Sequence, residues 1–193
     1  MRRTLTSSGW DTHGVLRTVL PVALLVPLLA ACSGSSEDGP SGDSGPSVDP
    51  EVRSGLAALY AGDHPGEQDT RNGECFADEL LDRVDLRDLE AAGVVVDGAV
   101  APTSPELEPE LAEVWVDAMF SCMDFIDESA RAQVAFTKGE VDWEQYAACL
   151  REDLDDDTVR SAVVGMLTGT WDSPDVAALT RAQADCSTEA NPG

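Results

Sequence analysis

The chain has 193 residues, and its 37 acidic side chains outnumber 12 basic ones to give a formal charge of −25 at neutral pH. That balance argues against nucleic acid as a partner, because such binding rests on Lys and Arg neutralising phosphates. The acid reads first as a solvated surface that keeps the protein soluble; a cationic partner is the other reading.

The first signal along the chain is at its N-terminus. Arg2, Arg3 and Arg17 precede an uncharged apolar run, Val19 to Ala31. A transmembrane helix needs about 20 apolar residues; this run is shorter and carries Pro21 and Pro27. A charged start, a short apolar segment and small residues at its end make residues 1–31 a secretory signal peptide. Leu29-Ala30-Ala31-Cys32 resembles the lipobox of bacterial lipoproteins. The resemblance implies cleavage before Cys32, a diacylglyceryl group on its sulfur, and attachment to the outer face of the cytoplasmic membrane. Two acyl chains suffice for stable anchoring where one holds only marginally. An ordinary secretory signal cut after Ala31, leaving a free thiol, is the alternative. The segment before the apolar run is long and includes Trp10 and Asp11; translation from Val15 would set Arg17 close to the apolar core.

Residues 32–50 then form the lipidated cysteine and a linker, SGSSEDGPSGDSGPSVDP, too poor in apolar surface to offset its ordering entropy. Its expected end-to-end distance is about 23 Å. Gly42-Asp43-Ser44-Gly45 has the letters of a trypsin-like nucleophile motif but lacks its context. The one histidine beyond the signal peptide, His64, lies in turn-rich AGDHPGEQD.

The remainder, 51–193, is long enough for one domain and reads as all-α. Leu111, Val114, Trp115, Ala118 and Cys122 recur at steps of three and four. Ser104-Pro105, Glu108-Pro109 and Ser173-Pro174 each read as a cap followed by a first helical residue. Asp142 with Gln145 reads as a capping box, and Lys138-Gly139 as a helix stop. Val176, Leu179, Ala182 and Cys186 continue an inner face. Val94-Val95-Val96 before Asp97-Gly98 is the single β-like run, read as strand or extended loop.

Cys75, Cys122, Cys149 and Cys186 make an even set in an exported chain, which implies disulfides. A weak internal repeat sets residues 70–122 beside 143–186. Cys75-Phe-Ala-Asp-Glu-Leu80 parallels Cys149-Leu-Arg-Glu-Asp-Leu154, and each later helix places an alanine four residues before its cysteine (Ala118, Ala182). Bonding within each copy gives Cys75–Cys122 and Cys149–Cys186. Cys75–Cys186 with Cys122–Cys149 stays open as the second arrangement. Zinc is disfavoured by the lack of a close cysteine pair and the near absence of histidine.

The "C-apolar-x-acid-x-Leu" phrase and the "A-x-x-x-C" helix ends, over roughly residues 70–187, resemble small acidic cysteine-paired helical proteins exported by high-GC Gram-positive bacteria, many of them lipoproteins. That resemblance implies location and fold, and no activity.

No catalytic, cofactor or metal residues are assigned. Asp153 to Thr158 fails an EF-hand loop, with Thr158 where glycine and Val164 where glutamate is needed. The run reads instead as an acidic helix start capped by Asp156 or Asp157. Trp115, Trp143 and Trp171, with Met119, Phe120, Met123, Phe125 and Ile126, are the largest apolar reserve. Core packing is the default for them, but 119–126 is wide for one helix face. The first functional expectation is a non-enzymatic, lipid-anchored extracytoplasmic module that binds an envelope protein partner. The second is a carrier of a small apolar ligand, which needs a cavity of about 300–1,000 Å³ among these side chains. The third is a carboxylate-dependent hydrolase, which needs two carboxylates flanking a cleft.

Overall fold

A computed structural model describes residues 49–191. Residues 1–48, which include the segment read as a signal peptide, Cys32, the Gly42–Gly45 motif and most of the expected linker, lie outside the described residues. Among the described residues the elements run α1 (Pro50–Ala61), α2 (Glu67–Leu81), α3 (Leu86–Ala91), β1 (Val95–Val96), β2 (Ala99–Val100), α4 (Pro109–Cys122), α5 (Phe125–Phe136), α6 (Trp143–Asp153), α7 (Asp156–Leu167) and α8 (Pro174–Glu189). An all-α, disulfide-braced domain is therefore what the chain forms. The linker reading ran two residues too far. Asp49 caps α1 by accepting from the Glu51 amide at 2.8 Å, and Pro50 takes the first helical position.

Most helix ends follow their punctuation. Asp142 accepts from the Gln145 amide (2.9 Å) and Ser173 from that of Val176 (3.3 Å). After α5, Lys138 and Gly139 turn into the left-handed region, and the Gly139 amide reaches back to the Val134 carbonyl at 2.8 Å. Two readings need correction. The cap of α7 is Asp155, which accepts from the Thr158 amide at 2.7 Å, so the helix starts one or two residues earlier than an Asp156 or Asp157 cap implies. Ser104-Pro105 begins no helix; the segment runs extended to bury Leu107, whose amide donates to the Leu167 carbonyl at 2.8 Å. Of the two readings of the valine run, the strand holds, over Val95–Val96. Asp97 (φ 53°) and Gly98 (φ 81°) supply the two positive φ values of a tight hairpin turn, and Val95 pairs with Val100.

The largest core lies among α1 to α4. Leu56, Phe76, Leu80 and Leu89 are fully buried there, and Tyr60, Phe76 and Trp115 form a ladder with successive centroids 5.0 and 4.9 Å apart. α1 and α2 come unusually close: a Cβ on Gly73 would stand 2.5 Å from the Ala57 carbonyl oxygen. A second core joins α5, α6 and α8 through Tyr146, Leu150, Cys186 and several alanines. A third, smaller one joins α7 to α8 around Ala162, Val176 and Leu179. The Asp142 amide, bonded to the Ala190 carbonyl at 2.9 Å, ties the start of α6 to the end of α8.

Each disulfide clamps a pair of helices. Cys75–Cys122 joins α2 to α4 with Cα atoms 5.8 Å apart, and Cys149–Cys186 joins α6 to α8 at 5.6 Å. This is the pairing within each repeat copy. Between the clamped helices the copies differ: α3 and the hairpin occupy one, and the single helix α7 the other.

Candidate ligand cleft

The apolar run 119–126 is wide because it is not one helix. α4 ends at Cys122, Met123 is extended (φ −152°, ψ 155°), and Asp124 caps α5 by accepting from the Asp127 amide. The bend sends the side chains three ways. Ile126 packs against the second core. Phe120 stacks on Phe125 at 5.9 Å, with the Arg160 guanidinium 4.8 Å from its centroid. Met119, Met123 and Phe125 face a common cleft of about 960 Å³.

Trp115 and Leu167 complete its apolar lining, together with Leu59 from the end of α1; Ala132 and Ala135 line it from α5. Trp115 is the one tryptophan of the candidate group that is buried, at 5% exposure. Trp143 (42%) and Trp171 (63%) stand in solvent, which corrects the core-packing reading for both. Each lies at an element boundary, Trp143 opening α6 and Trp171 between α7 and α8.

The polar residues of the cleft come from positions far apart in sequence. Arg131 on α5 donates to Asp69 on α2 at 2.5 Å and also to Glu128, one turn back on its own helix. Asp69 accepts from the Gly66 amide as well (2.8 Å), closing the start of α2. The other oxygen of Glu128 accepts from the Asn72 amide group at 3.0 Å, and Asn72 accepts from Gln68 at 2.7 Å. Asn72 is 4% exposed, so these two bonds satisfy a side chain that burial would otherwise penalise. The network joins α2 to α5 beside the cleft.

The charges act as this geometry dictates. The hydrogen bond from Arg131, followed by that from the Gly66 amide, holds the Asp69 carboxyl below its ordinary range, and its two carboxylate partners raise Arg131 further still. Burial pushes the Tyr60 phenol up to about 12, with Glu128 adding to the effect. Tyr60 therefore lines the cleft as a neutral hydroxyl at physiological pH. A glycosidase acid needs a carboxyl held protonated near neutrality; Asp69 is moved the other way. Sequence reasoning missed Tyr60, Asp69, Glu128 and Arg131. Asp69 and Arg131 are 62 positions apart, and no local spacing links them.

A second open groove, about 860 Å³, runs between the 106–117 segment and α7, lined by Glu106, Glu113, Asp117 and Arg160 among others. Among the described residues, Cys149, Asp153 and Cys186 are the group whose metal-ligand atoms converge, within 4.8 Å. Both sulfurs are bonded to each other and offer no thiolate. The Asp153–Asp157 run serves the start of α7 through Asp155. His64 is exposed in the α1–α2 loop. No family model, curated protein or solved structure matches the chain.

Proposed function

We propose that the protein is a lipid-anchored extracytoplasmic binding module, non-enzymatic, that holds a small apolar guest in the cleft between α1, α4 and α5. One observation carries the reading: an open space of about 960 Å³ lined by Trp115, Met119, Met123 and Phe125. Ligand sites of this kind span about 300–1,000 Å³ and combine an apolar lining with a few placed polar groups. Methionine suits such a lining, since its flexible thioether adapts to guests of different shape. The anchor is Cys32, acylated after removal of residues 1–31, with the linker carrying the domain off the membrane.

Docking of an envelope protein is the second reading. It is favoured by Phe136, 83% exposed at the end of α5, and by Trp143 and Trp171. The two readings separate in one titration. The neutral fluorophore N-phenylnaphthylamine is added to the full-length Cys32→Ser protein, in which no acyl chain at that position supplies a guest. Saturable enhancement with one site is expected, and Ala132→Trp, which plugs the cleft, abolishes it. Enhancement that never saturates, or that Ala132→Trp leaves intact, removes the cleft reading.

A further inference from the structure

The cleft is apolar at one part of its lining and charged at another, and the charge does not cancel. Its ionisable residues, besides the tyrosine, are Asp69, Glu128 and Arg131. Arg131 is shared between the two carboxylates, so the triad carries one excess negative charge. The Tyr60 phenol lies in the field of the same three groups and stays neutral, adding a hydroxyl but no positive charge. An anionic head would meet that excess charge in a partly desolvated place, where the Nη2 group of Arg131 already serves both carboxylates. A cationic head would complete the neutralisation. The surrounding surface, part of a chain with 37 acidic residues against 12 basic, reinforces the same sign.

Resting on the apolar-guest reading above, we infer that the guest is a cationic amphiphile. Its apolar body lies along Trp115, Met119, Met123 and Phe125, and its single ammonium-type head sits beside Asp69 and Glu128. Fatty acids and other anionic lipids are selected against. The triad is partly exposed, so solvent screening and desolvation of the head offset most of the bare attraction of one unbalanced charge and leave about a tenfold preference.

The test compares three probes with the same chain and different heads: dodecylammonium, dodecanol and dodecanoate. Each is titrated calorimetrically at neutral pH, below its aggregation threshold, into the full-length Cys32→Ser protein. Expected is an order of affinity dodecylammonium, then dodecanol, then dodecanoate, with about tenfold between the first two. Glu128→Gln should erase the cation's advantage while dodecanol still binds. Because Glu128 also holds Asn72, Asp69→Asn serves as a second variant with the same expected outcome. Ala132→Trp should abolish binding of all three. Equal affinities, or tightest binding by dodecanoate, overturn this inference and leave the apolar-guest reading standing. A cation preference that survives Ala132→Trp also overturns it, because the charge effect then belongs to the general surface. Failure of all three probes to bind removes both readings together.

Discussion

At the residue scale, Gly73 shows how a single position fixes the geometry on which the cleft depends. Its missing side chain lets α2 approach the Ala57 carbonyl of α1, with a Cβ there only 2.5 Å away from the oxygen. The same helix pair carries Tyr60 and Asp69 to the cleft. Gly73→Ala should cost about 1–3 kcal/mol, the range for forcing extra volume into a packed contact, despite alanine's better helix propensity. Urea denaturation checks this; an unchanged or higher midpoint would mean that α1 and α2 separate without cost. Little of this was legible in the sequence. Gly73 directly follows Asn72, and an Asn-Gly pair reads as a turn signal and not as a close approach of two helices. The Asp69–Arg131–Glu128 triad was equally hidden, because it depends on which helices meet. The caps were legible for the opposite reason: Asp142 and Ser173 act on amides only three residues away.

At the element scale, the two disulfides do similar work on unequal material. They close loops of 47 and 37 residues, each worth up to about 4 kcal/mol by chain entropy. The α1–α4 core holds large side chains besides its disulfide, including Leu56, Phe76, Leu80 and Trp115. In the α5–α6–α8 core, four of the eight buried residues are alanines, set around Val141, Tyr146 and Leu150, with Cys186 itself fully buried. Removing Cys149 and Cys186 together, both to alanine, is therefore expected to open α6 and α8. The Cys75→Ala and Cys122→Ala pair should weaken α2 and α4 without releasing them. Hydrogen exchange resolved by segment checks the asymmetry, and equal loss of protection in both variants would contradict it. The pairing itself could be reasoned from the sequence because the two copies share the distance logic of helix, connection and helix. The content of the connection could not, since Val94–Val96 is too short to declare whether it finds a strand partner. What decides it is the Asp97-Gly98 turn, which folds Ala99 and Val100 back onto it. The bend at Met123-Asp124 is intermediate: the width of the 119–126 run signalled a problem, and an Asp cap directly after a methionine was its cause.

For the whole molecule, the proposed function couples an anchor to a cleft. Intact mass of the processed protein is expected to show Cys32 as its first residue, carrying diacylglyceryl. A chain starting at Cys32 with a free thiol would leave the domain secreted and untethered. No helix of the described residues is long and apolar enough to cross a membrane. The most direct test of the central claim uses the methionine methyl groups. Met119 and Met123 line the cleft, whereas Met166 packs against the α7–α8 core away from it. With these methyls isotopically labelled, dodecanol is titrated into the Cys32→Ser protein and the carbon–proton correlations are followed. Saturable shifts of Met119 and Met123 with Met166 unmoved are expected; a titration that shifts all three alike, or none of them, would contradict a guest held in the cleft.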